Sequence, residues 1–125
     1  QTLEYVRQWM IERMMIVGVI SLPAHTFVPF GAGPKSSILI CVKPKDGIVP
    51  ENYPVFFGKL SKIGYDVSGK VQYKRNEKGE LIDIDGKLID EKDELSLQKR
   101  VIDTDIPELI EAWNSFCENN KQYMW

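Results

Sequence analysis

Two uncharged apolar runs, separated by a stretch rich in proline and glycine, constrain this chain more than anything else in it. The first, Val17-Gly-Val-Ile-Ser-Leu22, is closed by Pro23, and the second, Ser36-Ser-Ile-Leu-Ile-Cys-Val42, by Lys43-Pro44. Neither alternates apolar with polar residues. That pattern suits strands buried on both faces, as in a parallel sheet between layers of helices. Proline cannot donate to a sheet ladder, so each run ends where its proline stands. Between the runs, Pro23, Pro29, Gly31, Gly33 and Pro34 predict a loop of roughly a dozen residues.

Ahead of the first run, residues 1–16 read as an amphipathic helix. Leu3, Val6, Met10, Met14 and Val17 recur at helical spacing, with Glu4, Arg7, Glu12 and Arg13 between them. No capping residue or turn precedes it, so the chain is expected to begin inside a longer polypeptide. Helix, strand, long loop and strand do not close a core. Strands apolar on both faces need two covering layers, which 125 residues supply poorly.

The remainder differs in character. Val55-Phe-Phe-Gly-Lys-Leu60 reads as a further strand, and residues 63–66 and 68–69 as turns. Val71-Gln-Tyr-Lys-Arg75 and Glu80-Leu-Ile-Asp-Ile84 flank Asn76-Glu-Lys-Gly79, a hairpin signal. Residues 83–94 are densely charged and predict a loop. A C-terminal helix opens at Asp105-Ile-Pro-Glu108, with Asp105 as N-cap and Glu108 at capping-box spacing. Its inward stripe is expected to be Ile106, Leu109, Ile110, Trp113, Phe116 and Cys117. No internal repeat or low-complexity segment is legible.

With 43% apolar and 27% charged residues the composition is that of a soluble globular chain. No apolar run approaches the ~18 residues of a membrane span. Glu4, Arg7, Glu12 and Arg13 break up any signal-peptide core. Cys41 and Cys117 read as two reduced, buried thiols, and a single histidine, His25, leaves no zinc pattern. Residues 1–60 carry six Lys/Arg against four Asp/Glu, whereas residues 61–125 carry ten against fourteen. If the chain meets DNA, its first half is the better candidate.

Few constellations carry chemistry. In Phe30-Gly-Ala-Gly-Pro-Lys-Ser36 the glycine–lysine spacing is wrong for a phosphate loop, and a strand rather than a helix follows. The donor loop F-x-G-x-G of methyltransferases fails at Ala32 for the same reasons. Asp83-Ile-Asp-Gly86 begins like a calcium loop but lacks its later ligand positions, so a solvated turn is expected. Phe27 and Phe30 are the informative pair, because a loop between buried strands is a poor place to hide a ring. They read either as a lid folded onto the core, which composition alone favours, or as a stacking surface for a flat ligand such as an extruded base.

At this loop the ordered set Val17-Gly-Val-Ile-Ser-Leu-Pro23, Phe27-Val-Pro-Phe30, Lys35-Ser-Ser-Ile-Leu-Ile40 and Lys43 resembles the late catalytic motifs of adenine-specific DNA methyltransferases, namely type I restriction–modification methylation subunits. Val55-Phe-Phe57, Ile63-Gly-Tyr-Asp66 and Gly69 are similar to the segment that follows those motifs. The resemblance covers residues 1 to 75 and thins out afterwards. It implies an α/β fold in which 17–22 and 36–42 are the last two strands of a Rossmann-like sheet. Residues 1–60 would be the late part of the catalytic domain, and residues 61–125 a hairpin and C-terminal helix packed on it. It implies a parent that transfers methyl from S-adenosylmethionine to adenine in DNA, in the cytoplasm, alongside specificity and restriction subunits. The donor loop and the N-P-P-Y/F tetrapeptide are absent here, so the chain alone is expected neither to bind the donor nor to methylate. Phe27 or Phe30 would stack on the flipped adenine, the match favouring Phe27, and Lys35 would meet a phosphate. Strands left without their layers would drive self-association. The competing reading is a non-enzymatic α+β module that contacts a specificity subunit through the hairpin and the C-terminal helix.

Overall fold

The computed structural model describes residues 3–125 and is a mixed α/β structure built on one three-stranded sheet. Helix α1 (Glu4–Arg13) leads into strand β1 (Met15–Ser21), followed by β2 (Ser37–Val42) and β3 (Phe56–Lys59). A four-residue α2 (Ser96–Lys99) and the long α3 (Ile106–Asn119) complete the helices. The chain divides into two compact units interleaved in sequence. One comprises Gln1–Leu22, Ser36–Leu60 and Pro107–Trp125, the other Pro23–Lys35 and Ser61–Ile106. One crossing falls after Leu60. The others assign the proline-rich loop to the second unit and α3 to the first.

In the first unit the sheet order is β2-β1-β3, with β2 antiparallel and β3 parallel to β1. The register breaks between Ile16 and Gly18, a bulge that inserts Val17 opposite no partner. The bulge leaves Val17 and Gly18 on the same side. Met15, Val17, Gly18 and Ile20 are accordingly buried, while Ile16, Val19 and Ser21 are only half-buried. The buried side forms the core: Met15, Val17 (0% exposed) and Val42 pack with Ile40, Trp113, Tyr123 and Met124. Helix α3 lies against this face through Leu109, Trp113 and Phe116. Phe56 meets the Trp113 and Phe116 rings with centroids 5.4 and 5.6 Å away. A β-carbon at Gly58 would stand 2.5 Å from Leu109 Cδ1, so any larger residue there would make the end of the Leu109 side chain shift.

The opposite face of the sheet is open. Leu39, Val19 and Phe57 are direct register partners across the three strands, so their side chains form one apolar row. Leu39 is 50% and Phe57 77% exposed. The runs read as strands suited to cover on both faces; on this side, among the described residues, Leu39 and Phe57 stay exposed, in line with the shortage of covering layers in 125 residues. Strand β2 is also an edge, and apart from Val42 it is exposed or half-buried.

Helix α1 is shorter than expected and buries none of its residues. Met14 serves as its extended C-cap and Val17 lies in β1; Gln1 and Thr2 lie outside the described residues. Arg13 stands 5.0 Å over the Trp9 ring, so charge interrupts the apolar side of the helix. No residue of α3 is fully buried: Leu109, Trp113, Phe116 and Cys117 are half-buried, and Ile106 and Ile110 are exposed. Both cysteines are unpaired and half-buried rather than buried. Burial and the neighbouring Glu118 carboxylate push the Cys117 thiol pKa up.

The second unit is a chain of reversals around Leu81, its one fully buried apolar residue. The hairpin foreseen at 76–79 forms, with Arg75 bridged to Leu81. Contrary to expectation the segment is also repetitive. Asp66-Val-Ser-Gly-Lys70, Asn76-Glu-Lys-Gly-Glu80 and Asp83-Ile-Asp-Gly-Lys87 fold into the same turn. In each, Oδ1 of the first residue accepts the amides two and four places on: Ser68 and Lys70, Lys78 and Glu80, Asp85 and Lys87, all at 2.9–3.0 Å. In each, the glycine adopts a left-handed φ, +84° at Gly69, +80° at Gly79 and +82° at Gly86. At the far end Asp105 does not cap α3. Its carboxylate accepts the amides of Ser61 (3.0 Å) and Lys62 (3.2 Å), while Thr104 Oγ1 accepts the Ile106 amide.

Candidate functional site

The proline-rich loop is a succession of hydrogen-bonded turns in the second unit. Thr26 is buried and donates both its amide (3.1 Å) and its hydroxyl (2.6 Å) to the Pro23 carbonyl. A single 3-10 turn, Val28–Phe30, follows with Pro29 pre-setting its φ. The Phe27 carbonyl accepts the amides of both Phe30 and Ala32 at 3.0 Å, and Gly31 closes the turn in the left-handed region. Phe27 and Phe30 are thus opposite ends of one short rigid element.

Tyr65 fastens that element to the rest of the unit. Its hydroxyl donates to the Thr26 carbonyl at 2.7 Å, and His25 Nε2 donates to the Tyr65 carbonyl at 3.0 Å. This bond places the neutral histidine's proton on Nε2 and leaves Nδ1 as the acceptor. The Phe30 ring meets the Tyr65 ring edge-on, with centroids 6.3 Å apart at 85°. His25 meets the same ring at 6.2 Å, also at 85°. His25 is therefore half-buried and structural rather than a solvated loop residue.

Phe27 is 40% and Phe30 74% exposed. Lys35 lies exposed beyond the turn, with no hydrogen bond or ion pair among the described residues, and nothing joins it to either ring. Beside Tyr65 is a cleft of about 310 Å³ lined by His25, Ile63, Val67, Gln72 and the Lys62–Asp103 ion pair (3.3 Å), among others. Sequence reasoning missed this cleft, because Tyr65, Gln72 and Asp103 come together only when Asp103 donates its amide to the Gln72 carbonyl at 2.8 Å.

No group of three His, Cys, Asp or Glu side chains among the described residues is arranged to hold a metal ion. Asp83, the start of the calcium-like sequence, directs its Oδ1 to backbone amides instead. No helix among them is long and apolar enough to cross a membrane. No family model, no curated protein and no solved structure matches the chain.

Proposed function

We propose that this chain is the late portion of the catalytic domain of an adenine-specific DNA methyltransferase of the type I restriction–modification kind, working in the cytoplasm with specificity and restriction subunits. The observation that carries the reading is the Phe27–Phe30 turn. It presents two accessible rings on a hydrogen-bonded support, immediately after the Leu22-Pro23 that ends a sheet strand. An aromatic face held rigidly in advance stacks on an extruded base with little loss of side-chain freedom. Phe27 is assigned as the stacking ring, with Phe30 flanking it and Lys35 contacting a phosphate. The apolar row Leu39–Val19–Phe57 supports the same reading, because a Rossmann-like sheet carries helices on both faces and the rest of the parent domain would supply the second layer.

In this reading S-adenosylmethionine binds to the parent's F-x-G-x-G loop, and the N-P-P-Y/F segment holds the adenine amine beside the methyl group. Neither motif occurs in these 125 residues, so the chain alone is inactive. The test is titration calorimetry of the chain with S-adenosylmethionine, paired with a methylation assay of a polypeptide that joins it to both motifs. Micromolar one-site donor binding by the chain alone would overturn the division of labour. An inactive longer polypeptide that does bind donor and DNA would overturn the enzyme assignment. The open sheet face also favours a second reading, a non-enzymatic module that docks on a partner protein. In that case Phe27→Ala leaves methylation by the longer polypeptide unaltered.

A further inference from the structure

We propose that the first unit holds a binding site for an organic anion with a flat apolar body, beside the core residues Met15 and Val42. A cavity of about 490 Å³ lies between residues 42–50 and the C-terminal residues 121–125. That size is within the range of small-molecule sites. Its floor is the core itself: Met15 and Val42 are buried, and Tyr123 and Met124 pack against them. Trp125 borders it, its ring stacked on Trp113 at 6.4 Å and 24°.

The rim supplies the charge. Lys43, Lys45 and Lys121 all line the cavity. Lys43 and Lys45 have no ion pair among the described residues. Only one acidic side chain lines it, Asp46, and that carboxylate accepts the Ile48 amide at 3.0 Å. An apolar floor whose rim carries two lysines free of ion pairs against one aspartate has a positive excess, which attracts a ligand whose flat body covers the floor and whose sulfonate, carboxylate or phosphate sits at the rim. Residues 36–45, which lead to this rim, contain no acid. The site stands independently of the methyltransferase reading.

The probe is 8-anilinonaphthalene-1-sulfonate, titrated into the full chain while amide shifts are followed by nuclear magnetic resonance. The expected result is one saturable site, with shifts concentrated in residues 42–50 and 121–125. The double variant Lys43→Ala/Lys45→Ala removes two exposed charges and should weaken binding about tenfold, whereas Lys43→Arg/Lys45→Arg keeps it. N-phenyl-1-naphthylamine, which lacks the sulfonate, should bind the parent chain and the alanine variant equally. Absence of binding, undiminished affinity in the alanine variant, or shifts centred on Leu39 and Phe57 would each overturn the proposal.

Discussion

Tyr65 and Thr26 are joined by a 2.7 Å hydrogen bond from phenol to backbone carbonyl across 39 residues of sequence. A part-buried bond of this kind contributes about 1 kcal/mol, and its loss strands the carbonyl. Tyr65→Phe keeps the ring against Phe30 and removes only the donor. The expected outcome is a melting point lower by several degrees, with faster hydrogen exchange at the amides of Val28, Phe30 and Ala32. Unchanged exchange at those amides would show that the turn holds itself.

Phe27→Ala separates support from function. A ring 40% exposed empties little buried volume, so the stability cost should stay near 1 kcal/mol, well below the about 3–5 kcal/mol of a core phenylalanine. In a polypeptide carrying the donor loop, the same change should slow adenine methylation by the equivalent of about 1–3 kcal/mol, with donor affinity unaltered. Thermal melting and methylation rate on one variant decide it. A large drop in melting temperature with an unaffected rate returns Phe27 to a structural role.

The three matched turns allow an internal comparison. Alanine at Gly79 or Gly86 must adopt a left-handed φ, at a cost of about 1 kcal/mol, with nothing near the new methyl group. At Gly69 the β-carbon would also stand 3.2 Å from Pro29 Cβ. Chemical denaturation should therefore rank Gly69→Ala as the most damaging of the three. Equal losses would mean that the Pro29 contact yields freely.

Asp66 sets an acid limit on its own turn. The Ser68 hydroxyl, at 2.6 Å, is the main influence holding its carboxyl below the usual range, followed by the amides of Lys70 and Ser68 and the Lys70 charge; desolvation opposes them. A depressed folded pKa means that the native state binds fewer protons, so the stabilisation is present above the unfolded value of about 3.9 and disappears as pH falls through the folded one. Asn76 makes the same turn without a charge, so Asp66→Asn should preserve the fold at neutral pH and abolish this part of the acid sensitivity. Amide shifts of Ser68 and Lys70 followed below pH 5 would reveal it. An identical titration in the variant would contradict the assignment.

Apolar rows left open favour association. Light scattering is expected to show concentration-dependent self-association of the chain, and Leu39→Glu/Phe57→Glu should abolish it without loss of helix signal. A clean monomer near 14.4 kDa at high concentration would argue that the row is tolerated in water.

How far the sequence led varies with the physics of each element. Strands β1 and β2 were legible because apolar runs rich in β-branched residues and closed by proline leave little else to form, and β3 because Val55–Leu60 is a short apolar run set off by Pro54. That a sheet face would lie open followed from the shortage of covering layers, but which face it is did not, because apolar spacing records what a surface is suited to and not what covers it. Asp105 has the right spacing for an N-cap, yet the nearer amides of Ser61 and Lys62 take its carboxylate, a choice made only by tertiary approach. The half-burial of His25 rests on its bond to Tyr65 forty residues away, and the cleft on the Asp103–Gln72 bond. The repeated turn was present in the letters, as Asp or Asn followed three places later by glycine. Its spacing of ten and then seven residues conceals it from any search for a fixed period.

Those turns have a consequence for how the second unit comes apart. Each reversal closes through bonds made among five consecutive residues, so its formation hardly depends on its neighbours. With Leu81 as its single deeply enclosed apolar side chain, the unit resembles a string of clasps more than a sealed box. Heating should open such a string clasp by clasp over a broad interval, while the sheet and its helix melt together. For the same reason an entire clasp is the natural increment by which a chain of this design lengthens or shortens.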